Sequence, residues 1–430
     1  MKKHLKLLSL LLGMALCTTT FVACGDDDDS PSGNNGNSGQ TVVETDIAGT
    51  WKIDLQQTVN HGDGQAQNMA YKETVTFADG GTYTADFHSI NDNWINHSRL
   101  EGTWMKLGSD RVEVTLKKRF TIDADNVSTQ DNNFAERKDT LDYFFKGNAL
   151  FCETTNYDSG GTFAYTRDGS LPYKGYGDYA NNPILGVWVG EDFAWDGTPI
   201  TNKLELRSDG TFFQTMDNHL GWSEGTAGYY ILKNNSIMLI SYYFISKMGS
   251  DTDDWEVQGF RMWGGQWADY TIDGDKLLNP GAENMSGGMD FMMREGTEAG
   301  TSVVGHWKRT IEFWNNNQSV VEDEYWELEA NGIARHWWVR ADGTLREGTS
   351  GTYTLREETN EADGTTVTAL VLHWEYWLAD SGDATDPNLG SPVSPEEQDC
   401  TLRYVYSKIS DVLLVQWTNS SEFFRFKRIN

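Results

Sequence analysis

The sequence predicts an all-β chain: three tandem small antiparallel up-and-down barrels that follow an export segment and a flexible stalk. Three observations predict it. Four ordered anchors recur three times along the chain. The segments flanking the recurrent turns alternate apolar and polar residues with a period of two. Aromatic residues reach 13%, with 43 glycines and only 8 prolines. That composition suits twisted antiparallel sheets joined by frequent turns.

The chain opens on the basic stretch Met1-Lys2-Lys3-His4-Leu5-Lys6, followed by an apolar run over 7–16. The run is about half the length a bilayer-spanning helix needs. With its basic flank it fits a cleaved export signal over 1–23. Phe21-Val22-Ala23-Cys24 then resembles a bacterial lipobox. That resemblance implies a diacylglyceryl group on the Cys24 thiol, cleavage that leaves Cys24 as the first residue, and acyl chains such as palmitate. It implies a lipid-anchored protein of the outer membrane. Gly25-Asp26-Asp27-Asp28-Asp29 resembles the export tag of surface-exposed lipoproteins in one group of Gram-negative bacteria; a solvated tether is the alternative. Residues 24–45 are acidic and then rich in Gly, Ser and Asn, too polar to order themselves, and read as a stalk.

The chain holds 34 basic and 64 acidic residues, a net charge of −30. Cleavage would remove Lys2, Lys3 and Lys6 and no acid, which makes the remainder more acidic still. Such a chain repels nucleic acid and anionic headgroups, so the expected membrane contact is through the lipid alone. Of the four cysteines, Cys17 leaves with the signal and Cys24 is acylated. Cys152 and Cys400 remain, as two buried thiols or as one bridge between repeats.

Repeats are expected over 46–173, 183–296 and 302–430, separated by polar, Gly-rich stretches. The openings are Ile47-Ala48-Gly49-Thr50-Trp51, Ile184-Leu185-Gly186-Val187-Trp188 and Val303-Val304-Gly305-His306-Trp307. Each leads to a strand and a turn, at Asp79-Gly80, Asp209-Gly210 and Asn331-Gly332. Those dipeptides suit two-residue hairpins with positive φ at both central positions. The second anchor is Glu-Gly-Thr at 101–103, 224–226 and 347–349, ahead of Trp104, Tyr229-Tyr230 and Tyr353. The third is a closing hairpin: Tyr143-Phe144-Phe145, Tyr270-Thr271-Ile272 and Tyr404-Val405-Tyr406 each turn into a short apolar strand. The last strands carry Arg167, Arg294 and Lys427-Arg428. Eight or nine short strands per copy leave edges that closure into a barrel would remove. Residues 237–245 of the second copy are apolar on both faces, so one face should line the barrel and the other be covered.

The Gly-x-Trp opening with a basic residue on the last strand resembles the lipocalins, and more closely the lipocalin-like domains of bacterial lipoproteins. The resemblance covers most of residues 46–430. It implies structural pairs at the barrel floor: Trp51 with Arg167, Trp188 with Arg294, and Trp307 with Lys427 or Arg428. A cation over an indole contributes about 0.5–2 kcal/mol. The lipocalin helix after the barrel is missing and the loop lengths differ.

Catalytic and cofactor motifs are not found. The histidines form no spaced metal set, and no nucleophile elbow or phosphate loop occurs. His336 beside Trp337-Trp338, and His373-Trp374-Glu375-Tyr376-Trp377, are the densest His-aromatic spots. His373 and Glu375 share one strand face, as an acid–base pair or as a solvated polar stripe. Asp251-Thr252-Asp253-Asp254 and Asp380-Ser381-Gly382-Asp383 lack the full spacing of a calcium loop. Among the 17 tryptophans, Trp94, Trp195, Trp222, Trp255, Trp263, Trp267 and Trp314 sit near turns or in polar strands. The candidate ligand contacts are Trp263, Trp267, Trp337, Trp374 and Tyr376. No polar constellation is shared by the three presumed lumens. The expected function is non-enzymatic: a surface lipoprotein binding a small apolar molecule or a glycan in its barrels or clefts. The alternative is a structural or adhesive protein with filled barrels that acts through its outer faces.

Overall fold

A computed structural model describes residues 46–429, apart from 61–65, 92–93, 156–160, 172–174, 195–196, 219–221, 249–254, 279–290, 316–317, 360–365, 384 and 418–419. Cys24 and the stalk lie outside the described residues, as do Asp251, Asp253 and Asp254 and the side chains of Trp94, Trp195, Trp222 and Trp314. The fold is all-β and antiparallel, with 28 strands in three sheets among the described residues. The chain divides into two compact units, Met1–Val187 with Leu204–Tyr270, and Trp188–Lys203 with Thr271–Asn430.

The first sheet holds β1 (Gly49–Asn60), β2 (Ala66–Phe77), β3 (Thr82–Asn91), β4 (Trp94–Lys106), β5 (Arg111–Ile122), β6 (Ser128–Gln130), β7 (Arg137–Lys146), β8 (Ala149–Glu153) and β9 (Thr162–Tyr165). Its order is up-and-down, β1-β2-β3-β4-β5-β7-β8-β9, with β6 on β5. It closes where Lys52 N–H donates to Thr166 O at 2.8 Å and Thr166 N–H donates to Lys52 O at 3.0 Å. Period-two alternation places Tyr71, Glu73, Val75 and Phe77 of β2 inside, between half-buried Lys72, Thr74 and Thr76.

The second sheet holds β10 (Gly186–Phe193), β11 (Pro199–Leu206), β12 (Thr211–Asp217), β13 (Trp222–Lys233), β14 (Ser236–Met248), β15 (Glu256–Trp263), β16 (Trp267–Asp269), β17 (Thr271–Asp273), β18 (Lys276–Leu278) and β19 (Phe291–Arg294). Its order is β15-β14-β13-β12-β11-β10-β19-β18-β17, with β16 on β14. Here the expected closed barrel is not formed: among the described residues nothing pairs β15 with β17. Residues 237–245 explain part of the difference. Met238, Ile240 and Tyr242 of β14 join the core of the first repeat, where Tyr242 Oη donates to Ala164 O, and beyond the bulge at Tyr242 the same face continues with Ile245, which clusters with Ala227 and Val257. The partner of β14 is also broken. Gly264 and Gly265 press backbone to backbone against Gly161, and Gly265 exchanges hydrogen bonds of 2.8 Å with Thr162. That contact separates β15 from β16.

The third sheet holds β20 (Gly305–Asn315), β21 (Gln318–Leu328), β22 (Ile333–Arg340), β23 (Leu345–Thr359), β24 (Thr366–Ala379), β25 (Asn388–Pro392), β26 (Asp399–Ser407), β27 (Val412–Gln416) and β28 (Phe424–Ile429). The order β23-β22-β21-β20-β28-β27-β26-β24 closes through a β23–β24 pairing, with β25 attached to β24. This is a barrel.

The turns differ from expectation. Positive φ occurs at Gly81 (79°), Gly210 (83°) and Gly332 (86°), and not at Asp79, Asp209 or Asn331. Each turn is closed by two bonds: Ala78 N to Thr82 O and Gly81 N to Ala78 O, and likewise from Arg207 and Glu329. The loops are therefore longer than two residues, with one left-handed glycine at the end, and the first is shifted by one residue from Asp79-Gly80. The aromatic after Glu-Gly-Thr locks each turn. Trp104, Tyr230 and Tyr353 donate their amides to the three glycine carbonyls. Their side chains donate to Ala78 O, Arg207 O and Glu329 O at 2.9, 2.6 and 2.9 Å.

Candidate functional site

Every repeat is built up from its floor. Arg167 lies 3.6 Å from the ring centroid of Trp51, Arg294 4.3 Å from Trp188, and Arg428 4.2 Å from Trp307. Lys427, the other residue considered for the third pair, is exposed. Trp51 Nε1 donates to Ile47 O at 2.8 Å and Trp307 Nε1 to Val303 O at 2.9 Å. Arg167 and Arg428 also donate to carbonyls of the chain entering the first strand, those of Ala48 and of Ser302 and Val304. The glycine of Gly-x-Trp has φ of +111°, +118° and +148° in the three copies. At Gly49 and Gly305 a Cβ would collide with the arginine guanidinium, so both space and backbone demand glycine.

Above the floor, one position recurs. Counting four residues back from Phe77, Leu206 and Leu328, the last inward residues before the turns, gives Glu73, Asn202 and Glu324. They are 1%, 8% and 0% exposed. A polar group thus occupies the same inward position in all three copies, although the groups around it differ. Asn202 Nδ2 has no partner among the described residues. The other two are satisfied in opposite ways.

In the first barrel, Tyr71 Oη and Tyr165 Oη each donate to the Glu73 carboxyl at 2.7 Å. Burial pushes its pKa up to about 7, against the hydrogen bonds of Tyr165, Tyr71 and Thr154, which pull it down. The rest of that lumen is filled by Trp51, Phe77, Tyr83, Phe163 and aliphatic groups. A cavity of about 10 Å³ beside Tyr83, Thr154 and Tyr165 has the size of one water.

In the third barrel, register builds a charged layer. Arg309, Glu324 and Trp338 lie side by side on β20, β21 and β22, above the row of Trp307, Trp326 and His336. Arg309 Nε donates to Glu324, whose other oxygen meets His336 Nε2 at 2.7 Å. Burial lowers the pKa of the Arg309 guanidinium, and the Glu324 charge opposes that shift. Glu322, the next inward residue of β21, accepts a 2.6 Å hydrogen bond from Arg346. Aromatic rings surround the layer. His336 stacks on Trp326 at 4.4 Å and meets Trp417 at 5.1 Å, and Arg309 lies 4.1 Å from the Phe424 ring centroid. Trp326 is fully buried and its Nε1 has no acceptor among the described residues.

The structure distributes the sequence candidates unevenly. Trp263, Trp267 and Tyr376 are 53%, 39% and 38% exposed. Trp263 lies opposite Ser241 and Trp267 opposite Met238, on opposite faces of β14. Trp337 and Trp374 are buried. Trp337 stacks on Tyr325 at 5.2 Å on the outer face, and Trp374 lies 6.1 Å from Trp326. His373 does not pair with Glu375; its Nδ1 meets Asp399 at 2.8 Å on the surface. Neither Cys152 nor Cys400 forms a disulfide. Sequence reasoning singled out His336 but missed Arg309, Glu322, Glu324 and Glu73. Strand parity would have found the glutamates, because Glu324 shares the phase of Trp326 and Leu328, and Glu73 that of Val75 and Phe77. No protein-family model and no curated protein matches the chain.

Proposed function

We propose that the protein is a non-enzymatic surface lipoprotein in which the third repeat binds a small molecule and the first is a filled spacer. The anchoring part of this reading rests on the lipobox-like Phe21-Val22-Ala23-Cys24. Cys24→Ala is expected to stop incorporation of labelled palmitate and to move the protein out of the membrane fraction. An unchanged fraction would remove the anchor from this reading.

The observation that carries the binding part is the contrast at one lumen position. Glu73 is sealed by two tyrosines in a packed aromatic interior. Glu324 instead belongs to a layer of Arg309, His336 and Trp338 that continues to the exposed Arg346. Polar groups converging among aromatic rings are the lining that small-molecule sites present. Tryptophan fluorescence and thermal unfolding against fatty acids, bile acids, haem and glycans test it. The expected result is a saturable shift with one class, kept in Tyr71→Phe and lost in Trp338→Ala. A shift lost in Tyr71→Phe, or no shift with any class, would move the reading to outer-face adhesion.

A further inference from the structure

We infer that the mouth of the third barrel takes a neutral polyhydroxylated ligand, a glycan, stacked on Trp338. This rests on the third barrel being the binding repeat. Trp338 is half-buried and lies one inward position beyond His336 toward the end of β22. The guanidinium of Arg309 lies 5.6 Å from its ring centroid and that of Arg346 lies 5.7 Å away. Each guanidinium is held by its own buried carboxylate, Arg309 by Glu324 and Arg346 by Glu322. An indole is thus flanked by two guanidiniums, each held by a buried carboxylate, with Glu347 a further partner of Arg346. One row below, the buried Nε1 of Trp326 is a donor with no acceptor among the described residues.

The chemistry of these groups discriminates between ligand classes. A hydrocarbon would cover the arginines and glutamates without replacing their water. A carboxylate or phosphate would gain from the guanidiniums but face Glu322 and Glu324. A cation would meet the reverse. Vicinal hydroxyls can donate to a carboxylate and accept from the guanidinium paired with it, without separating the pair. The C–H face of a sugar ring can cover the apolar indole at the same time.

The test measures binding of the full chain to neutral hexasaccharides of glucose, xylose and galactose, to an oligogalacturonate and to palmitate, by calorimetry and tryptophan fluorescence. At least one neutral hexasaccharide is expected to bind saturably. Trp338→Ala should weaken it on the order of tenfold, the loss of about 1.4 kcal/mol. Arg346→Ala should weaken it several-fold; Arg346 is 41% exposed, so this variant keeps its fold if Trp338→Ala does not. Palmitate or oligogalacturonate binding that these substitutions remove, without neutral sugar binding, would overturn the glycan assignment and leave the third barrel a binding repeat. Neutral sugar binding unaffected by both substitutions would overturn the site. No binding of any probe would overturn the glycan assignment together with the reading beneath it.

Discussion

Replacing Arg309 with methionine is expected to destabilise the third barrel by about 3–5 kcal/mol, the cost of leaving a buried charge without its partner. The Glu324 carboxylate is fully buried, and its remaining partner is His336. Methionine fills a similar volume, so most of the loss would be electrostatic. The double variant Arg309→Met/Glu324→Gln should recover most of it, because neither buried charge then remains. Urea unfolding of the parent, both single variants and the double variant measures the coupling. Additive losses would show that Arg309 acts through packing against Phe424 and Phe426 and not through its charge.

The second large effect is a pH dependence with an unusual direction for a carboxyl. Most native carboxylates are held low, and stability is lost as they protonate. Glu73 is raised from 4.5 to about 7. Between those values the folded chain keeps a proton that the unfolded chain has released. Stability therefore falls as pH rises through that window, by about 3 kcal/mol in total, and is insensitive to this group on either side. Glutamine reproduces the protonated form, with one donor and one acceptor end for Tyr71 and Tyr165. Glu73→Gln is thus expected to match the parent near pH 4 and to exceed it by about 3 kcal/mol above pH 7. Stability curves for the two proteins that run parallel across pH 4–8 would show that Glu73 ionises in the folded barrel without penalty.

Both predictions concern the same position in two repeats, and both depend in part on neighbours from other strands. Around Glu73, β2 and β9 supply hydroxyls, and burial among them raises the pKa of the carboxyl to about 7. Around Glu324, β20 supplies an arginine and β22 a histidine, and the carboxylate is bonded to both. The local sequence is alike in the two cases: an acidic residue at inward parity between large apolar ones. What distinguishes them is supplied by partners that other strands bring up, Tyr165 to Glu73 and Arg309 and His336 to Glu324.

The sequence by itself determined the β class and, to within a residue, the places where the chain turns. These are local or periodic properties. Inward and outward residues alternate along one strand, a left-handed turn position selects glycine, and Gly-x-Trp carries a glycine whose positive φ and, at Gly49 and Gly305, closeness to the arginine guanidinium exclude a side chain. Only the tertiary structure decided three further points. The second repeat is an open sheet, because the outer face of β14 is buried against the first repeat and the Gly264-Gly265 contact divides its partner strand. The left-handed glycine is Gly81 and not Gly80, because hydrogen-bond closure from Ala78 to Thr82 sets the loop length. The charged layer of the third barrel exists because register across β20, β21 and β22 aligns Arg309, Glu324 and Trp338 in one row. A single strand carries no record of which residues will stand beside it.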